Sequence, residues 1–148
     1  MKRKIQLDQN GIQITEDQAQ RAVFRWAKDA AILWPELRYM YHTPNEGKRN
    51  PYTGQRLKAE GMRSGVPDIC LPAPRGKYHG LYIEMKVGRN KPTPEQEDFL
   101  TYLAVAGYKS LACWGEKSTI RAIESYLKLP KEEEPCIDVP MKSEPKGE

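Results

Sequence analysis

The sequence predicts an α/β or α+β domain built on one mixed sheet of four strands, with helices flanking it in the order α-β-β-β-α-β-α. Three observations carry that expectation. The run Leu81 to Val87 alternates apolar and polar residues with a period of two. Two Thr-x-x-Gln boxes, at Thr15 and Thr93, each open a stretch with helical apolar spacing. The 148 residues are one domain's worth of chain, long enough to bury a core without disulfide or metal staples.

Residues 1–14 show no sustained period and read as an N-terminal arm. Thr15-Glu16-Asp17-Gln18 offers a hydroxyl to the third helical amide and a Gln to reach back, so the first helix opens here. Ala19, Ala22, Val23, Trp26, Ala27 and Ala30 then form one stripe. Glu16, Gln20, Val23 and Ala27 run along its edge, which lets Glu16 lean toward a site. Pro35 ends the helix or opens a turn. The aromatic-rich run Leu37 to His42 is the first expected strand. Thr43 to Ser64 is polar and punctuated by Gly and Pro, with one or two helical turns over Gln55 to Glu60 that end at Gly61.

Asp68 to Leu71, between Pro67 and Pro72, is the second strand, and Leu81 to Val87 the third. In the third, Leu81, Ile83, Met85 and Val87 face one way, Tyr82, Glu84 and Lys86 the other. The connection Pro72 to Gly80 suits a hairpin. Thr93-Pro94-Glu95-Gln96 starts the next helix with Pro at its first position, Phe99, Leu100, Leu103 and Ala104 continue it, and Gly107 closes it. Tyr108 to Trp114 reads as the fourth strand, and Ser118 as the cap of a last helix through Leu127. From residue 130 to 148 the chain is Pro- and Glu-rich without period, an acidic disordered tail, which bounds the domain at 15–129.

The charge is uneven. The net charge is +4, but residues 130–148 carry six acids and three bases, so the rest carries +7. A basic body with an acidic tail suits a polyanion ligand. No apolar run approaches the ~20 residues of a membrane helix, and the basic N-terminus is not followed by the apolar stretch of a signal peptide. Cys70, Cys113 and Cys136 fit neither a disulfide framework nor a paired zinc motif, and reduced thiols in a cytoplasmic protein are the expectation.

Glu84 and Lys86 share the face opposite the apolar one. If strands 68–71 and 81–87 pair as a hairpin, Asp68 and Glu84 converge, and two carboxylates at one point suit a hard divalent cation such as Mg²⁺ or Mn²⁺. Such an ion would polarise a scissile phosphate and acidify a water. Lys86 would orient that water or stabilise charge, and Glu16 would approach from the helix. The alternative from strand pattern alone is an exposed Glu84–Lys86 pair on the solvent face of the sheet.

Gly65-Val66-Pro67-Asp68, fifteen residues, then Glu84-Met85-Lys86 resembles the core motif of the PD-(D/E)XK nucleases. The surroundings resemble the VRR-NUC family: Glu16 and Gln20 opening a helix with Phe24-Arg25-Trp26-Ala27, then His42-Thr43-Pro44-Asn45-Glu46-Gly47, Lys58-Ala59-Glu60-Gly61-Met62, Thr93-Pro94-Glu95-Gln96 and Ala106-Gly107-Tyr108, in the family's order from Thr15 to Leu127. The resemblance implies a restriction-endonuclease-like core and a Mg²⁺- or Mn²⁺-dependent DNA endonuclease. Stand-alone relatives of this size are similar to phage and bacterial proteins that dimerise and cut four-way junctions. It implies that Asp68, Glu84 and the Met85 carbonyl hold metal, with Glu16 matching the acid of the first helix and Lys86 the catalytic lysine.

Gln96 is implied near the site, although its place in a capping box gives it a structural job regardless. His42 matches the family's histidine, for DNA contact, against a structural role at a strand end. Lys48, Arg49, Arg56, Lys58 and Arg63 fit phosphate contacts, against an ordinary solvated loop. Trp26, Trp34 and Trp114 are expected in core or interface. The functional expectation is a structure-selective endonuclease, a junction resolvase first, acting as a homodimer. A flap or nicking nuclease on the same site, or a silent DNA-binding accessory protein, stand as alternatives.

Overall fold

The computed structural model describes Leu7, residues 11–44 and residues 51–131. Helix α1 (Glu16–Ala30) is followed by a 3₁₀ turn (Pro35–Tyr39), strand β1 (Tyr41–His42), helix α2 (Pro51–Ala59), strands β2 (Ile69–Leu71) and β3 (Leu81–Lys86), helix α3 (Pro94–Val105), strand β4 (Lys109–Trp114) and helix α4 (Gly115–Leu127). The sheet is four-stranded in the order β1-β2-β3-β4. β1–β2 and β2–β3 are antiparallel, and β3–β4 is parallel. The sheet is therefore mixed, as the pattern of elements predicts.

Both capping boxes are present. Thr15 caps the Gln18 amide and Thr93 the Gln96 amide, while each Gln side chain accepts from the Thr backbone N–H. α1 buries Ala19, Val23 and Ala27 against α4 and β3. Ile69, Leu71, Leu81, Ile83, Met85 and Ile123 complete that side of the core, all at 1% exposure or less. Burying each such side chain contributes roughly 1.5–3 kcal/mol. α3 packs on the other face of the sheet, where the Ser110 hydroxyl donates to the Leu100 carbonyl at 2.6 Å. That face carries Tyr82, Glu84 and Lys86, so they are covered rather than solvated. α2 buries none of its residues.

Four expectations need correction. Leu37 to Tyr39 is not strand: Pro35 opens a 3₁₀ turn, and only Tyr41–His42 pair with β2. The reason is spacing, since the buried pair Leu37 and Met40 is three residues apart, the 3₁₀ period, while Tyr39 and Tyr41 point outward. Ser118 does not cap α4. That helix starts at Gly115, whose φ of +79° turns the chain straight out of β4, and Trp114 precedes it without a side-chain cap. α2 begins at Pro51, where its ring needs no amide, rather than at Gln55. Pro130 is still part of the body, its carbonyl accepting from the Gly76 N–H at 2.7 Å, and Lys131 pairs with Glu36 at 2.9 Å. Residues 132–148 lie outside the described residues.

Cys70 and Cys113 are buried free thiols in β2 and β4, and burial pushes Cys113 up to about 11. Cys136 lies outside the described residues. Trp26 and Trp34 pack against the core. No helix among the described residues is long and apolar enough to cross a membrane.

Candidate active site

The β2–β3 hairpin builds the site. Its register sets Ile69 against Ile83, which brings Asp68, one residue ahead of β2, level with Glu84. The Met85 N–H donates to Asp68 Oδ2 at 2.7 Å and holds that carboxylate on the strand. Lys86 Nζ lies 3.0 Å from Glu84 Oε1 and 4.0 Å from Glu16 Oε1. Glu84 is 1% exposed and Lys86 7%, which excludes the exposed charge pair on a solvent face.

The approach of Gly65-Val66-Pro67-Asp68 depends on glycine. Gly65 has φ +81°, and a Cβ there would sit 2.6 Å from the carbonyl carbon and oxygen of Glu95, in the first turn of α3. Only a bare Cα lets this loop lie against the helix start. That packing brings Gln96 beside Asp68 in one cleft of about 260 Å³, which Glu16, Asp17, Gln20, His42, Thr43, Pro44, Glu84, Met85 and Lys86 also line.

Electrostatically the carboxyls are strained. Burial, then the Asp68 charge, pushes Glu84 up to about 7 against the pull of Lys86. Burial also raises Asp68, opposed by the Met85 N–H and the Lys86 charge. Burial alone would push the Lys86 ammonium down, but its bond to Glu84 and the surrounding carboxylates hold it above its usual range. No N–H or O–H of another residue donates to the buried Glu84 Oε2, and the neighbouring Asp68 and Glu84 carboxyls can bond only by sharing a proton, which a cation would replace.

The structure thus brings together Asp68, Glu84 and Lys86, with Glu16, Gln96 and His42 on the walls. Gln96 does the capping job, its Oε1 accepting from the Thr93 N–H at 2.8 Å, and lines the cleft as well. Asp17 also lines the cleft, but its carboxylate pairs with Arg21 at 2.9 Å. Arg56, Lys58 and Arg63 are exposed outside the cleft lining, with Arg56 3.5 Å from Glu60. Lys48 and Arg49 lie outside the described residues. No cluster of three or more His, Cys, Asp or Glu able to hold a metal ion forms among the described residues. The donors that do converge are the two carboxylates, a set suited to a hard cation rather than a soft one.

One neighbour of the site belongs to none of the sequence motifs. The Asn90 side-chain amide donates to Glu16 Oε1 at 3.2 Å. The only sequence signal for it is the turn Gly88-Arg89-Asn90 directly after the Glu-x-Lys strand.

The sequence model of the VRR-NUC domain matches residues 14–117. A solved structure described as a VRR_NUC domain protein superimposes with a TM-score of 0.68 at 31% identity, covering 80% of this chain and 92% of that one. No curated protein matches.

Proposed function

This chain belongs to the VRR-NUC family of PD-(D/E)XK-type nucleases, and on that premise we propose that it is a Mg²⁺- or Mn²⁺-dependent, structure-selective DNA endonuclease, a four-way-junction resolvase first. The observation that carries the reading is the convergence of a half-buried Asp68 with a buried Glu84 and a buried Lys86, where no N–H or O–H of another residue donates to Glu84 Oε2. A protein that only binds DNA gains nothing from burying a carboxylate and an ammonium beside a second, half-buried carboxylate.

The site fits a hard divalent cation. Its donors are carboxylate oxygens, one of them with no N–H or O–H of another residue donating to it, and the pair already faces one cation, the Lys86 ammonium. Asp68 and Glu84 would hold the ion, with the Met85 carbonyl and Glu16 as the further donors that the family resemblance implies. Bound there, it would supply Lewis-acid polarisation of the phosphoryl group and acidify a water.

The chain's own groups do the rest. The Met85 N–H fixes Asp68, so that the carboxylate does not reorganise during reaction. Lys86 holds positive charge where the phosphate gains negative charge, and its protons orient the attacking water. Gln96 and His42 line the cleft where the strand enters. Arg56, Lys58 and Arg63, exposed on and beside α2, contact phosphates and position the duplex arms without reading bases. A two-fold junction needs two symmetric cuts and each chain holds one such site, so action as a homodimer belongs to the proposal.

The test is incubation of the purified protein with labelled four-way junction, flap, linear duplex and single strand, each with Mg²⁺, Mn²⁺ or EDTA. Paired, metal-dependent cuts confined to the junction are expected. Cutting of flap or duplex would keep the nuclease and discard the resolvase. Tight binding without cleavage under either metal would overturn the enzyme and leave an accessory protein.

A further inference from the structure

Beyond the residues of the motif, the turn that follows β3 is tied to the site. The Asn90 N–H closes it on the Val87 carbonyl at 3.1 Å, and Gly88, at φ +56°, makes the reversal possible. The Asn90 carbonyl in turn accepts from the Trp114 indole N–H at 2.7 Å. Trp114 is the register partner of Lys86 across β3–β4, so the indole pins the turn to the strand that carries the site. From this anchored position the Asn90 side chain crosses to α1 and donates to Glu16 Oε1. That oxygen is also the one 4.0 Å from Lys86 Nζ.

Glu16 needs such a hold. It is the first residue of α1, with a side chain 40% exposed, and it forms part of the lining of the active cleft and of a second cleft with Gln13, Val87 and Asn90. An unheld side chain of that length has several rotamers open to solvent, and ordering it costs free energy. Its ion pair to Lys86 is long and holds it only loosely.

We propose that Asn90 is a positioning residue: fixed by Trp114 and the turn, it holds Glu16 by Oε1 on the Lys86 side of the cleft. The amide acts on the carboxylate as an outer partner acts on a ligand, by orientation rather than by chemistry. The inference rests on the nuclease reading above.

The experiment is a double-mutant cycle on the full chain with Asn90→Ala, Glu16→Ala and the pair together. Cleavage kcat and KM, Mn²⁺ affinity by calorimetry and Tm are measured for each, with Trp114→Phe as a second approach to the same hold. Asn90→Ala is expected to lower kcat and Mn²⁺ affinity by about tenfold with KM for DNA and Tm nearly unchanged. It should cost nothing further in the Glu16→Ala background, because its effect passes through that carboxylate. Trp114→Phe should give a smaller loss in the same direction. Wild-type cleavage with Asn90→Ala equally active, or equal losses in both backgrounds, would overturn the positioning role alone. A wild-type protein that neither cuts nor binds Mn²⁺ would overturn the nuclease reading and this inference with it.

Discussion

Asp68 and Glu84 stand level across the β2–β3 pair, Asp68 tied to the Met85 N–H at 2.7 Å and Glu84 to the Lys86 ammonium at 3.0 Å. Glu16, Asp68 and Glu84 share this pocket with one ammonium, while Asp17 pairs outward with Arg21, so its acids outnumber the cation they face. A site of this kind is costly to the fold and useful to a cation.

Asp68→Asn should therefore separate stability from activity. The asparagine oxygen still accepts from the Met85 N–H, while the charge that helps push Glu84 up to about 7 is gone. The expected result is a Tm raised by about 2–5 °C, corresponding to roughly 1 kcal/mol, with Mn²⁺ binding and cleavage abolished. Thermal denaturation beside calorimetry checks both halves, and a variant less stable than wild type would contradict the charge argument.

Lys86→Ala should abolish turnover while sparing substrate binding. The ammonium sits inside the cleft, whereas the exposed cations on and beside α2 are free to meet phosphates. Cleavage should fall by about 10²–10³-fold or more, with junction affinity by gel shift nearly unchanged. Equal cleavage by the variant would remove Lys86 from the mechanism.

Gly65→Ala tests the packing that assembles the site. A Cβ there meets Glu95 backbone at 2.6 Å in a backbone conformation that disfavours side chains. Destabilisation by about 2–4 kcal/mol is expected, and cleavage should fall with it. Gly54→Ala is the control. Nothing lies within 4 Å of its Cβ, and inside α2 alanine should be neutral or stabilising by roughly 0.5–1 kcal/mol. Denaturant titration of the two variants should give opposite shifts.

The parts of this molecule that were legible in the sequence are those written locally. The alternation of Leu81 to Val87 and the two Thr-x-x-Gln boxes specify a strand and two helix starts from a few neighbouring residues. The Asp68–Glu84 convergence needed only the assumption of a hairpin. What was not legible depends on distant chain. Whether Glu84 and Lys86 are buried is decided by α3 covering their face, which period-two alternation does not state. Leu37 to His42 has strand-like composition, yet the core asks for Leu37 and Met40 three residues apart, and packing overrides propensity. Asn90 meets Glu16 across 74 residues of sequence, and no local pattern tells a turn amide which helix it faces.

The basic residues on and beside α2 predict a salt signature. Neutralising Arg56 and Lys58 should flatten the dependence of log affinity on log salt by about 0.9 for each duplex-arm phosphate that no longer has a cation beside it. The Arg56–Glu60 pair at 3.5 Å is exposed at both ends and competes weakly. Fluorescence titrations between low and physiological salt read the slope, and a parallel downward shift with unchanged slope would place DNA elsewhere.

A separate ion cluster makes part of the fold's stability depend on pH in acid. Glu36 lies 2.9 Å from Lys131 and 2.6 Å from Arg75, whose side chain is 4% exposed. Lys131 first, with the Arg75 contact adding to it, holds Glu36 down to about 2 against the opposing effect of burial. A carboxyl whose folded pKa is depressed contributes stability that is fully present above its unfolded value near 4.5 and disappears as pH falls through about 2. Because Lys131 is exposed and screened, the contribution is about 1–2 kcal/mol rather than the full shift. Glu36→Gln should thus lower stability at pH 7 by about that amount, and the gap to wild type should close between pH 4.5 and pH 2. Urea denaturation across that range is the measurement. A gap that stayed constant with pH would mean that Glu36 acts by packing rather than by charge, with Arg75 held instead by its bonds to the Leu127 and Pro74 carbonyls.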